Sequence, residues 1–188
     1  MMTDITEMQL QQPAWSEIGE SLVTTKSGRT VVARLLGGTD AALLVDLYSR
    51  LSERTRWLRF SKPHGSEELA WREATRLVRC GAPADTTLLG VVCEGGEERA
   101  VALVQMVCVE KTVAEVAAVV RDDYQNDGVG KALCRLAAQV AAGRGVKTLQ
   151  ILTQAENRMV QWLVRSTGAA YTAELRQGAL TMTVQLPG

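Results

Sequence analysis

The sequence predicts an α+β domain in which a mixed, mostly antiparallel sheet is flanked by helices on both faces. Three observations predict it. Three apolar, β-branched runs between residues 87 and 120 follow one another with short turns, the pattern of an antiparallel meander. A polar turn with two glycines then joins the third run to a strongly amphipathic helix. With 188 residues and 46% hydrophobic content, the chain is large enough to bury one real core.

The elements follow in order. Residues 1–28 show weak periodicity and read as an N-terminal extension that either packs loosely or swaps to a partner in a homodimer. Residues 29–188 read as a single domain. Thr30–Leu36 is a first strand, broken by Gly37-Gly38. Thr39 or Asp40 caps a helix running to Leu51, with Ala41, Leu44, Val45 and Tyr48 at helical spacing. A short helix over Glu53–Phe60 follows. A third starts at Ser66, with acidic residues near its beginning and Arg79 near its end, as the helix dipole favours, and stops at Gly81. Strands are predicted at Thr87–Cys93, Ala100–Val109 and Thr112–Val120. The helix Gly128–Ala142 carries Val129, Leu133, Leu136, Ala137 and Val140 on one face. A strand at Lys147–Thr153, a helix at Asn157–Thr167 and a hairpin of Tyr171–Glu174 with Leu180–Leu186 complete the chain.

Composition excludes several function classes. Formal net charge is +0, from 21 basic and 21 acidic residues, so nothing favours binding to nucleic acid or to an anionic membrane. No long uncharged apolar run suggests a transmembrane helix, and the first ten residues lack the basic start of a signal peptide. Cys80, Cys93, Cys108 and Cys134 form no Cys-x-x-Cys pair and meet a single His64, so no metal site is expected. Their mostly apolar contexts suggest reduced, buried thiols and a cytoplasmic location. His64 sits in the polar Lys62-Pro63-His64-Gly65 turn and reads as a surface residue.

The chemistry concentrates in Val119-Val120-Arg121-Asp122-Asp123-Tyr124-Gln125-Asn126-Asp127-Gly128-Val129-Gly130-Lys131. Here a strand turns into a helix through glycines, which let backbone come close to a bulky anion. A helix N-terminus offers unpaired N–H groups and a positive dipole end, a ready phosphate site. A Walker loop would need Gly at 125 and a hydroxyl at 132, where Gln125 and Ala132 stand. A dinucleotide fingerprint would need a small residue at 133, where Leu133 stands.

What remains, Gln125-x-x-Gly128-x-Gly130, resembles the acetyl-CoA diphosphate loop of the GNAT N-acetyltransferase superfamily. The element order from about Thr30 to Leu186 resembles the acyl-CoA N-acyltransferase fold of that superfamily. The resemblance implies acetyl-CoA as co-substrate, a primary amine as acceptor, and no metal. It implies that backbone groups of Val119 and Val120 hold the cofactor arm where their strand splays from the next. It also implies that the N–H groups of Gln125, Asn126, Asp127, Gly128, Val129, Gly130 and Lys131 hold the diphosphate. Asn157 and Gly168 match a further family pattern. Asn157 then either touches the cofactor arm or caps the last helix. The pattern's tyrosine, the usual proton donor to the departing thiolate, is replaced by Val164, and its phenylalanine by Ala169. A thiol with a pKa of about 8.5 leaves tolerably without such help.

Leu51-Ser52-x-x-Thr55-Arg56-Trp57-Leu58-Arg59-Phe60 and Ala114-Glu115-Val116-Ala117-x-x-Val120 are similar to segments of bacterial protein lysine acetyltransferase-like members. The glutamate matching Glu115 is the general base there, which implies direct attack by an amine, a protein lysine or a small molecule, on the thioester. The residues themselves agree. Glu115 is a lone carboxylate on an apolar strand, facing the same way as Ala117 and Val119. Burial disfavours an ionised carboxyl, which tunes it toward a base that works near neutrality. A plain strand-end ion pair is the other reading. Arg54, Arg56, Trp57 and Arg59 either shape the acceptor side or form a solvated helix with Trp57 and Phe60 in the core. Asp127, beside a diphosphate, is expected to repel it unless it turns outward, so Asp127→Arg is expected to tighten binding. Without a proton donor at 164, a binding module that senses acetyl-CoA without turnover stands as the alternative.

Overall fold

A computed structural model describes residues 19–61, 66–79 and 85–186. Its eight strands are β1 (Ser21–Thr24), β2 (Thr30–Leu35), β3 (Thr86–Glu94), β4 (Glu97–Glu110), β5 (Val113–Val120), β6 (Thr148–Gln154), β7 (Tyr171–Arg176) and β8 (Ala179–Gln185). Five helices flank them: α1 (Ala41–Ser49), α2 (Glu53–Phe60), α3 (Glu67–Arg79), α4 (Val129–Gly143) and α5 (Arg158–Arg165). The strands form one sheet in the order β1-β2-β3-β4-β5-β6-β8-β7. Every neighbouring pair is antiparallel except β5 and β6, which α4 joins as a parallel crossover.

The sheet is buried on both faces, which is why β3 and β4 read as continuous apolar runs rather than alternating ones. On one face α4 lays Val129, Leu133 and Ala137 against Val31, Leu88 and Val104. On the other, α1 and α3 bring Leu44, Leu47 and Ala74 onto Leu89, Leu103 and Val119. A third cluster joins the end of α4 to α5, β6 and β8 through Val140, Val164, Leu149 and Met182. Gly90 lies under α4. A Cβ there would sit 3.1 Å from Val31 and 3.3 Å from Leu133, so the glycine lets helix and sheet approach closely.

The predicted elements are present with shifted ends. β1 lies inside the segment read as an extension, 1–28. It is four residues long, and alternates half-buried with exposed positions, leaving Leu22 73% exposed, too short a pattern to register as periodicity. β4 starts at Glu97, because pairing with β3 carries the strand through the charged Glu97-Glu98-Arg99. β7 runs two residues further than predicted, to Arg176. Residues 1–18, His64, Cys80 and Gly81 lie outside the described residues. Cys93 is exposed, against the expectation of buried thiols, whereas burial pushes the Cys134 thiol up to about 12.

Leu133 is fully buried where α4 meets β2 and β3. Leu133→Ala is expected to lower unfolding stability by about 2–5 kcal/mol, read as a shift of the urea midpoint at unchanged slope.

Candidate functional site

The site begins where β5 and β6 part. Their pairing covers only Val113 with Thr148, Ala114 with Leu149 and Glu115 with Gln150. On its other edge β5 stays paired with β4 up to Val120, opposite Ala102. From Val116 onward, then, one edge of β5 has no strand beside it among the described residues. Arg121 N–H donates to Val101 C=O at 2.8 Å. In an antiparallel ladder, positions 121 and 119 therefore face β4, and 120 and 118 face the gap. The backbone of Val119 is engaged with β4, so the gap is lined by the N–H and C=O of Ala118 and by the N–H of Val120, whose C=O also accepts from Gln125. Of the two expected backbone groups, that of Val120 faces the gap and that of Val119 faces β4.

The loop that follows is pinned by its acidic residues. Asp122 accepts from Ser52 N–H at 2.8 Å, Ser52 Oγ at 2.6 Å and Thr55 Oγ1 at 2.7 Å, which ties it to the start of α2. Burial raises the Asp122 carboxyl, but these hydrogen bonds outweigh it and hold the group below the usual carboxylate range. Arg121 is buried and pairs with Asp123 at 2.7 Å and Glu94 at 2.5 Å. Tyr124 packs under two cations, with the Arg29 guanidinium 3.7 Å and that of Arg121 5.0 Å from its ring centre. Gln125 uses its side chain as a brace, its Nε2 donating to Val120 O at 3.0 Å and Thr55 Oγ1 at 3.2 Å.

Asp127 is 8% exposed and turns away from the loop's open side. It accepts from Ser27 N–H at 2.8 Å and Ser27 Oγ at 2.6 Å, and pairs with Arg29 at 2.8 Å. The Ser27 hydroxyl and the Arg29 guanidinium hold its carboxyl far below the usual range. The expected repulsion of an anion is thus replaced by a clamp on the β1–β2 turn.

The two glycines act differently. Gly128 has φ +94, next to Asn126 at φ +59, and it is the N-cap of α4 with no side chain capping the helix. The first N–H groups of α4, on Val129, Gly130 and Lys131, have no intrahelical acceptor. Gly130 lies against β5, where a Cβ would be a tight 3.2 Å from Val120 Cγ2. The Lys131 ammonium lies 5.9 Å from the Trp162 ring centre.

A cleft of about 740 Å³ opens beside the β5–β6 gap on the α1–α3 face, lined by Tyr48, Arg59, Gln105, Glu115, Val119 and Leu152. Glu115 faces it, as strand alternation predicts, but is exposed rather than partly buried. Trp57 is 39% exposed and so stands outside the core, while Phe60 packs against the α1–α3 cluster. Asn157 caps α5, its Oδ1 accepting from Val160 N–H at 3.4 Å and its Nδ2 donating to Thr153 at 2.9 Å. Both ends of its amide are engaged within the chain. Val164 is 4% exposed in the third core cluster and carries no proton donor. Sequence reasoning missed Ser27, Arg29 and Gln105. The similarity around Ser52 and Thr55 was a usable signal, because these two residues hold Asp122.

A parallel pair that parts beside an uncapped helix N-terminus is the arrangement that the resemblance to acyl-CoA N-acyltransferases implies. Residues 44–166 match the family model Acetyltransferase (GNAT) family, and the chain belongs to that family of N-acetyltransferases. Among solved structures it is similar to the GNAT domain of S. lividans PAT, at 23% identity and TM-score 0.76 over 89% of this chain and 97% of that one. It is also similar to a cAMP-binding acyltransferase from Mycobacterium smegmatis, at 20% identity and TM-score 0.60 over 90% of this chain and 48% of that one. A third is spermidine N-acetyltransferase from Vibrio cholerae, solved with CoA and spermine, at 14% identity and TM-score 0.64 over 83% of this chain and 95% of that one. No curated protein matches the chain. Among the described residues no helix is long and apolar enough to cross a membrane, and no group of His, Cys, Asp and Glu is placed to hold a metal ion.

The Asp127 clamp has two expected consequences. Asp127→Arg weakens acetyl-CoA binding in a calorimetric titration, the reverse of the sequence expectation, because it sets two arginines together and frees the β1–β2 turn. The sign of the pH effect follows from a depressed pKa, which contributes stability above the unfolded value of about 3.9 and loses it as pH falls. Asp127→Asn should therefore flatten the loss of thermal stability below about pH 5 and leave the variant with a lower Tm than the wild type at pH 7.

Proposed function

We propose that this chain transfers the acetyl group of acetyl-CoA to a primary amine by direct attack, with Glu115 as general base. The observation that carries the reading is the exposed Glu115 carboxylate, on the same strand whose unpaired edge leads to the uncapped N-terminus of α4. Acetyl-CoA supplies the thioester that the amine attacks. The N–H groups of Gly128, Val129, Gly130 and Lys131 are suited to its diphosphate, with Asn126 and Asp127 shaping the turn and Gln125 bracing it. Backbone groups of Ala118 and Val120 suit the amide-bearing arm and the developing oxyanion.

An amine with a pKa of about 10.4 arrives protonated at neutral pH. Glu115 accepts that proton, directly or through one water, and the cleft holds the amine against the gap. The leaving thiolate takes its proton from solvent, since Val164 offers none. The resemblance suggests a protein lysine as acceptor. The cleft volume, within the range of small-molecule sites, and the Gln154 Nε2–Ser61 Oγ bridge of 3.0 Å across it favour a small amine. A sensor of acetyl-CoA without turnover is the second reading, favoured by the buried Val164 in place of a tyrosine.

Glu115→Gln is expected to keep acetyl-CoA affinity and lower kcat by about 10²–10⁴-fold, read as CoA thiol release across amine, peptide and protein acceptors. Unchanged turnover would remove Glu115 from the mechanism. Binding of acetyl-CoA by the wild type with no thiol release on any acceptor would leave the sensor.

A further inference from the structure

Arg59 is the one arginine lining the cleft that carries no carboxylate of its own among the described residues. Two other arginines drawn inward each hold two carboxylates, Arg34 with Asp40 and Glu98 and Arg121 with Glu94 and Asp123, while Arg56, whose Nε is also buried without an acceptor, lies over the Tyr48 ring and does not line the cleft. The second cleft arginine, Arg76, pairs with Glu73 at 2.9 Å. Arg59 has only neutral contacts, the Gln105 side-chain Oε1 at 3.2 Å and the Phe60 ring centre 4.9 Å from its guanidinium, and its Nε is buried without an acceptor. Burial pushes its guanidinium down to about 10, with no opposite charge to offset it. Its place in the last turn of α2 gives only partial compensation from the helix dipole. A buried cation without a counter-ion is unfavourable, and a fork of five donors fits a carboxylate in particular.

Resting on the acetyl-transfer reading above, we propose that Arg59 binds a carboxylate of the acceptor, so that the preferred substrate is a small amine carrying a carboxylate, the amino-acid class. The register supports the spacing. Gln105, which holds Arg59, sits opposite Ala117, and Glu115 is two residues along the same face, about 7 Å away. The cleft thus offers a cation and a carboxylate to the two ends of one short zwitterion. Leu152 and Val119 supply apolar parts of the cleft lining. A lysine inside a protein brings the amine without the carboxylate and leaves Arg59 unanswered.

The test compares each amino acid with its decarboxylated amine, and 5-aminopentanoate with pentylamine, in thiol-release assays on the full chain. The wild type is expected to favour the carboxylate-bearing member at least tenfold in kcat/KM. Arg59→Gln should abolish that preference by raising KM for the carboxylated amine alone, with acetyl-CoA affinity unchanged, and Arg59→Lys should restore part of it. Because the cation is unpaired, Arg59→Gln should melt at or above the wild-type Tm, so lost preference will not reflect unfolding. In parallel, the carboxylated amine should raise the Tm of the CoA-saturated wild type and not that of Arg59→Gln. A preference that is absent, or that survives Arg59→Gln, overturns the proposal, as does better turnover of a lysine in an end-blocked peptide. A carboxylate-dependent Tm shift without turnover on any amine supports Arg59 and fails the acetyl-transfer reading. Neither turnover nor shift overturns both.

Discussion

Beyond Glu115 and Gln150, β5 and β6 stop pairing, and the rest of the site depends on that separation. A strand edge with unsatisfied N–H and C=O groups is normally a liability inside a sheet. Here it is kept open by what surrounds it. β4 holds β5 straight through a ladder that runs to Val120, while the β8 ladder carries β6 away as far as Gln154. α4 starts at the mouth of the gap and packs closely on β5, where a Cβ at 130 would press on Val120. The gap and the helix N-terminus are therefore one rigid feature, built from the same crossover.

The loop between them must offer N–H groups to an anion although its sequence holds three aspartates. The structure resolves that conflict by direction. Asp122 faces α2, Asp123 faces Arg121, and Asp127 faces Ser27 and Arg29, so each negative group is answered within the protein. These contacts join β1, β2 and α2 to the loop, and they fix its backbone before any ligand arrives. Preorganisation of this kind lowers the ordering cost of binding.

Much of this arrangement is legible in the sequence, and the reasons differ by residue. Glycine spacing and the amphipathic face of α4 identify the loop because both follow from local geometry. Strand alternation places Glu115 with Ala117 and Val119 on one face for the same reason. The Asp127 clamp is illegible because its partners stand about a hundred residues away in the β1–β2 turn, and β1 itself is too short to show a period. That the Val119 backbone faces β4 and not the gap is not legible either, because it depends on the β4 ladder and not on side-chain pattern. Asn157 reads in two ways from sequence alone, and its bonds to Val160 N–H and Thr153 depend on how α5 meets β6. The isolation of Arg59 is a tertiary property. It appears only when α2 lies over the cleft and Gln105 reaches it from β4.

The central claim is that the uncapped turn from Asn126 to Lys131 and the free edge of β5 receive acetyl-CoA together. Backbone amide NMR during a titration with acetyl-CoA tests it most directly. The account predicts that the amide signals of Gly128, Val129, Gly130 and Lys131, with those of Ala118 and Val120, shift in step with saturation and gain protection from hydrogen exchange. Saturable binding that leaves these six amides unmoved and shifts another part of the sheet would contradict it.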